Sequence, residues 1–254
     1  MKKEEFFYHY CSCDSFQKII ESKSLWMHSL AMCNDPSEIT YAVDYIKNYF
    51  KELGFTKNLA AIAGGPKKEV LYASSLSNKK DDLGQWIAYG DSGFGFSIGF
   101  EREAFPKKEY DLLGYSFDEQ TLPVFFNKII YGRISKNVLL SKVFPNDNIE
   151  PDVVLKKVLN LLPILKNEAF AAEGEYRLLY NSTLGKPFKN QCKFGYRVCR
   201  YGLTSYYVFP LMGNVIKQVT IGPKNNSLAV LVKKFLENAG YTGVDISYSQ
   251  VPYR

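Results

Sequence analysis

The sequence predicts an α+β fold in which short mixed strands alternate with amphipathic helices. Three observations carry this. The composition is that of a chain able to bury a full core, 46% hydrophobic and 23% charged over 254 residues, far from the low-apolar make-up of disordered chains. Short aromatic and β-branched runs alternate at a period of two, the pleat of a strand. Between them lie stretches whose apolar residues recur at helical spacing behind a capping residue.

The elements follow in order. Phe6 to Ser12 reads as a strand, and Asp14 as the cap of a helix carrying Phe16, Ile19 and Ile20. Leu25 to Ser29 reads as a second strand; Asn34-Asp35-Pro36 then turns the chain into a helix with Ile39, Val43 and Ile46 on one side and Asp35 as cap. Glu69 to Ser75 and Gly93 to Phe100 read as strands flanking a polar loop that holds Gln85-Trp86 and Tyr89-Gly90. Leu122 to Tyr131 reads as another strand, Pro151 to about Ala172 as helix interrupted at Pro163, and Glu175 to Tyr180 as a strand. Val215 to Ile221, Leu228 to Asn238 and Val244 to Tyr248 read as a strand, helix and strand, with Gly240 closing the helix.

No Pro/Gly/Ser-rich linker, charge block or repeat divides the chain, so one domain over residues 1–254 is expected. The start lacks the apolar core of an export signal, and no run approaches the roughly 18 uninterrupted apolar residues of a membrane helix. Five cysteines, an odd set in a chain with a core of its own, are expected as free thiols in the cytoplasm. The net charge of +6 comes from scattered lysine pairs such as Lys67-Lys68 and Lys233-Lys234, not from a basic arm or an aromatic-interleaved RNA motif, and reads as solvated surface. No Walker loop, nucleophile elbow or Gly-x-Gly-x-x-Gly is present, against common phosphoryl, acyl and hydride transfer designs. Cys11, Cys13, Cys33, His9 and His28 lack the spacing of a zinc site, and no metal is expected.

Tyr8-His9-Tyr10, Leu25-Trp26, Asn34-Asp35-Pro36-Ser37-Glu38, Gln85-Trp86 with Tyr89-Gly90, Glu173-Gly174-Glu175-Tyr176-Arg177, Ile221-Gly222-Pro223 and the closing Ser249-Gln250-Val251-Pro252-Tyr253-Arg254 form a set. With these residues the chain resembles the bacterial domain-of-unknown-function family 2971 over nearly its whole length. That family name implies no activity.

More remotely, the chain resembles the His-Tyr-Glu class of NAD-dependent ADP-ribosyltransferases, which implies split β-sheets flanked by helices around an NAD-binding cleft. In that class a histidine of an early strand binds a ribose hydroxyl; His9, with Tyr10 beside it, is the match, although Tyr10-Cys11 follows where the class has Gly and then Thr or Ser. A tyrosine near a Gly-containing strand stacks on nicotinamide, a role matched by Tyr89 or Phe94. A Glu-x-Glu entering a strand stabilises the oxocarbenium-like transition state, which the resemblance gives to Glu175, with Glu173 on the acceptor side and Arg177 facing a carboxylate or a pyrophosphate.

Each residue also has a plainer reading. His9 also fits a satisfied, partly buried histidine, Trp86, Tyr89 and Phe94 fit core aromatics beside a turn, and Glu173, Glu175 and Arg177 fit a salt-bridged strand face. The expectation is therefore an enzyme that cleaves the nicotinamide glycosidic bond of NAD and passes ADP-ribose to a protein or nucleic-acid acceptor, in phage defence or stress response. The alternative is a non-enzymatic nucleotide- or nucleic-acid-binding regulatory domain.

Overall fold

A computed structural model describes residues 6–30, 41–52, 54, 71–106, 124–135, 137–138, 161–182, 193–199 and 202–253. The first strand, β1 (Phe6–Cys11), leads into α1 (Cys13–Ser22). The cap of α1 is Ser12, not Asp14: the Ser12 hydroxyl accepts from the Ser15 N–H at 3.3 Å, and Asp14 sits in the first turn paired with Lys18. Strand β2 (Ser24–Ser29) follows, then α2 (Val43–Glu52), which buries Val43, Tyr45, Ile46 and Phe50. The Asn34-Asp35-Pro36-Ser37-Glu38 motif, Ile39 and residues 151–160 lie outside the described residues.

Strand β3 (Leu71–Ser77) leads to α3 (Leu83–Ala88), where a loop was expected. Asp82 makes the difference, because its carboxylate accepts from the Gln85 N–H at 3.1 Å and starts the turn. Asp91, Ser92 and Gly93 then take positive φ angles of 53°, 52° and 89°, so the strand expected from Gly93 begins only at β4 (Phe96–Glu101). Strands β5 (Val124–Lys128) and β6 (Ile130–Tyr131) follow.

The described part of the expected 151–172 helix is not α-helical. A turn at Leu162–Ile164 leads into the short β7 (Leu165–Lys166), and a 3₁₀ stretch covers Glu168–Glu173. Pro163 blocks continuation of an α-helix, and Leu162, Ile164 and Leu165 are all buried, an all-round burial that no amphipathic helix would give. Gly174, at φ 57°, then turns the chain into β8 (Glu175–Asn181), with Asn78 where a side chain would go. A hairpin absent from the sequence expectation, β9 (Phe194–Cys199) and β10 (Gly202–Pro210), precedes the closing β11 (Ile216–Ile221), α4 (Ala229–Asn238) and β12 (Asp245–Tyr248).

The fold is α+β, as expected, with a large, mostly antiparallel sheet that does not close into a barrel. Its connectivity creates the cleft. All of β3 pairs with β8, from Leu71↔Asn181 to Ser77↔Glu175, and β5 adds beyond β8. The other edge of β3 is shared: β2 takes it at Ala73 and Tyr72, and β1 meets it only at Ser77. From there one branch runs β1-β4-β11-β12 and the other β2-β10-β9. The sheet splits along residues 74–76 of β3. Parallel pairs occur between β11 and β12 and in the small β6-β7 sheet.

The main core packs Phe16, Ile20, Val232 and Leu236 of α1 and α4 against Phe7, Ile98, Phe100, Val219 and Ile221. A second core joins α2 to Leu71, Ala73, Leu162, Leu165 and Leu179, and a third gathers Tyr8, Tyr10 and Trp86. Gly222 and Gly95 meet by close backbone approach: Gly222 donates to the Gly95 carbonyl at 3.0 Å, and a side chain at Gly95 would strike the Cys11 carbonyl. No helix among the described residues is long and apolar enough to cross a membrane.

Candidate functional site

The split opens into a cavity of about 490 Å³. It is walled by residues from β1, β2, β3, α3, the 165–173 segment, β8 and β9. At its charged end Glu175 and Arg177 rise from one face of β8, being two residues apart on a strand. Arg177 is 2% exposed, Glu175 5% and Lys166, on β7, 5%. Glu173 comes from the preceding turn, not from the strand as its spacing suggested, and its side chain keeps 17% exposure.

Every lone-pair position of Glu175 is used. One oxygen accepts from Arg177 Nε at 2.7 Å and the Ser75 hydroxyl at 2.7 Å; the other accepts from Lys166 Nζ at 2.9 Å and Arg177 Nη2 at 3.2 Å. Burial by itself would push the Glu175 carboxyl up, but the Arg177 guanidinium, then Lys166 and Ser75, hold it at about 2. Glu173 is less filled: Tyr89 donates to one oxygen at 2.9 Å and Lys166 to the other at 2.6 Å, which leaves each oxygen a second acceptor position. Arg177 also donates to the Pro163 carbonyl at 2.9 Å, and Lys166 lies over the Phe170 ring.

His9 stands at the split. Its Nδ1 bonds the Ser75 carbonyl at 3.0 Å, and because a carbonyl only accepts, Nδ1 carries the proton and Nε2 is left as an acceptor. The bond engages a β3 carbonyl on the stretch that neither β1 nor β2 pairs. Burial lowers the His9 pKa, partly countered by Ser75, so the ring is neutral near pH 7. Tyr10 is pinned in the wall, its hydroxyl donating to the Lys79 carbonyl at 2.8 Å and accepting from the Asp82 N–H at 3.1 Å, with its ring edge-on to Trp86. Tyr89, at the end of α3, exposes its ring to the cavity while burial first, then the Glu173 charge, raises its hydroxyl.

Of the residues selected from sequence, the cavity wall brings together His9, Tyr10, Tyr89, Glu173, Glu175 and Arg177. Phe94 is outside it, exposed, beneath Lys224, with its carbonyl accepting from Cys13. Cys13 begins α1 and does not share the β1 face with His9, and Cys11 lies in the main core. Cys33 and Cys192 lie outside the described residues. No group of three metal-ligating side chains gathers among the described residues.

Sequence reasoning missed Lys166, Ser75 and Arg197 as cavity residues and gave His28 only as a zinc candidate. Lys166 carried one signal, a lysine closing the apolar run Leu161-Leu162-Pro163-Ile164-Leu165. Arg197 carried none, since its hairpin was not anticipated.

Fold and site define an α+β protein with a split sheet around a deep cavity whose charged end is built from paired acids and bases. Residues 85–178 match a family described as "Protein of unknown function (DUF2971)". The matched segment starts at Gln85 and runs one residue past Arg177, so it holds Tyr89, Lys166, Glu173, Glu175 and Arg177 but not His9, His28 or Arg197. Neither the curated proteins nor the solved structures contain a match to the chain.

Proposed function

We propose that the cavity binds NAD and that the protein is an ADP-ribosyltransferase, cleaving the nicotinamide glycosidic bond and passing ADP-ribose to a macromolecular acceptor. The observation that supports this reading is the meeting of His9, Tyr89 and the two glutamates in one cavity from three segments at least 80 residues apart in the chain. In this reading Tyr89 stacks on nicotinamide and His9 accepts from a ribose hydroxyl through Nε2. As the bond from C1′ to nitrogen breaks, the electron pair leaves with nicotinamide and a carboxylate faces the positive charge left at C1′. An acceptor oxygen or nitrogen then bonds C1′ and loses its proton.

We assign the carboxylate role to Glu173, not Glu175. A carboxylate whose four acceptor positions are filled by Arg177, Lys166 and Ser75 has no lone pair for a developing cation, whereas Glu173 keeps two and is the more exposed. Glu175 then fixes Lys166 and Arg177. A bacterial cytoplasmic setting in phage defence or stress response belongs to the same proposal.

The test is nicotinamide release from NAD, with and without cell lysate as acceptor source. Glu173→Gln is expected to lower turnover on the order of a hundredfold while NAD affinity stays within about twofold, because the charge acts mainly in the transition state. A folded wild type that neither binds nor cleaves NAD would rule the transferase out. Binding without cleavage would leave the second reading, a nucleotide-binding regulatory domain, which the unpaired polar atoms of the cavity wall favour.

A further inference from the structure

The cavity is bordered by three buried polar atoms that have no hydrogen-bond partner: His28 Nδ1, Arg197 Nε and Ser74 Oγ. Native proteins rarely leave such atoms unmet, because each loses its hydration on burial unless something outside the chain satisfies it. Ser74 is 3% exposed and lies on the stretch of β3 that neither β1 nor β2 pairs. Among the described residues no acid pairs with Arg197, in contrast to Arg177, which pairs with Glu175, and Lys166, which pairs with Glu173 and Glu175.

Position adds a second observation. A second cavity of about 280 Å³ lies beside the first, bounded by Asp14, Ser15, Lys18 and Ile19 of α1 and by Trp26 of β2. The two cavities share three wall residues, His9, His28 and Arg197. Trp26 is held flat on Tyr206, ring centroids 4.1 Å apart at 12°, which gives the second cavity a rigid aromatic wall. β10 lies between His28 on β2 and Arg197 on β9, through Tyr206↔His28 and Thr204↔Arg197, so the sheet holds the two side chains in fixed relation.

We propose that Arg197 and His28 form a phosphate subsite at the junction of the two cavities, where the pyrophosphate of a dinucleotide is held with one nucleoside half on either side. A guanidinium with an unused Nε–H suits a phosphate oxygen, and a neutral imidazole adds a donor. Burial first, then the neighbouring Arg197 and His9, hold the His28 pKa down at about 3, so His28 is neutral at physiological pH and Arg197 supplies the charge. A pyrophosphate is the part of a dinucleotide that separates two ring systems, and here the cation sits where two cavities adjoin. The identity of the ligand rests on the NAD reading above; the subsite rests on the unpaired atoms.

Titration calorimetry with ADP-ribose and with adenosine tests it, on the wild type, Arg197→Gln and His28→Asn, each checked for an unchanged circular dichroism spectrum. The wild type is expected to bind ADP-ribose at least tenfold more tightly than adenosine. Arg197→Gln is expected to weaken ADP-ribose at least tenfold and leave adenosine unchanged, with His28→Asn intermediate. Equal affinity of Arg197→Gln and wild type for ADP-ribose, equal affinity of the wild type for the two ligands, or no binding of ADP-ribose at all overturns the subsite. If Arg197→Gln does not fold, the same outcomes are read from His28→Asn. A wild type that binds ADP-ribose through Arg197 yet releases no nicotinamide from NAD upholds the subsite and ends the transferase reading, which separates the two failures.

Discussion

Glu175 shows how much one residue's surroundings change its meaning. In the sequence it is one of two acids beside a glycine; in the fold it is an ionised carboxylate held between two buried cations. Removing its charge takes away the carboxylate to which Arg177 and Lys166 both donate, where all three side chains are buried, so Glu175→Gln is expected to cost about 3 kcal/mol, far beyond an exposed ion pair. The pH dependence follows from the direction of the shift. The carboxyl titrates near 4.5 when unfolded and at about 2 when folded, so its contribution is complete above about pH 4.5 and is lost as pH falls toward 2. Urea midpoints measured from pH 5.5 down to pH 2.5 are expected to fall for the wild type and to fall less for Glu175→Gln. Parallel curves for the two proteins would mean that Glu175 is not so held.

At the scale of elements, α3 is a short helix that carries two cavity residues, Gln85 and Tyr89, and its stability comes from outside itself, as six residues are too few for an independent helix. Asp81 supplies the tie. Its carboxylate accepts from Trp86 Nε1 at 2.6 Å, from the Ser249 hydroxyl at 2.6 Å and from the Gln250 N–H at 2.7 Å. Two of the sequence motifs, Gln85-Trp86 and the closing Ser249-Gln250 segment, are thus one structural clamp, which their separation in the chain concealed. Asp81→Ala strands the indole N–H of Trp86, a fully buried side chain, and is expected to cost about 2 kcal/mol. Limited proteolysis is expected to release the C-terminal segment from this variant sooner than from the wild type. An Asp14→Ala control, which loses only an exposed pair with Lys18, is expected to stay within about 0.5 kcal/mol of the wild type.

Across the whole molecule, the split sheet leaves β1 and β2 joined to β3 at its two ends, with the His9 to Ser75 bond a further tie between β1 and β3. A ligand that enters the split contacts both branches and links them. Bound at a hundred times its dissociation constant, it stabilises the folded state by about 2.7 kcal/mol. Hydrogen exchange with ADP-ribose is expected to slow together in α3, on the β1 side, and in the β9-β10 hairpin, which carries Arg197 on the other side. Protection confined to one branch would show that the cavities are not spanned by one ligand.

The sequence by itself determined the α+β class and most of the described elements. The run of Phe6 to Cys11, the Val43 and Ile46 stripe of α2, the Glu175 strand and the closing strand, helix and strand were all legible, because periodicity and capping act over a few residues and leave a local trace. The glutamates and Arg177 were legible as a charged group, and His9 and Tyr89 as candidates, through resemblance and not through spacing. Only tertiary structure decided the rest. That Glu175 is locked while Glu173 keeps acceptor positions depends on Lys166, which a turn at Pro163 brings back beside β8. That Arg197 reaches the cavity depends on β10 pairing with β2, and that the sheet splits depends on β1 and β2 sharing one edge of β3. Strand pairing is a contact between residues far apart in the chain, so no short window of sequence records it, and the cleft it creates belongs to the sheet as a whole.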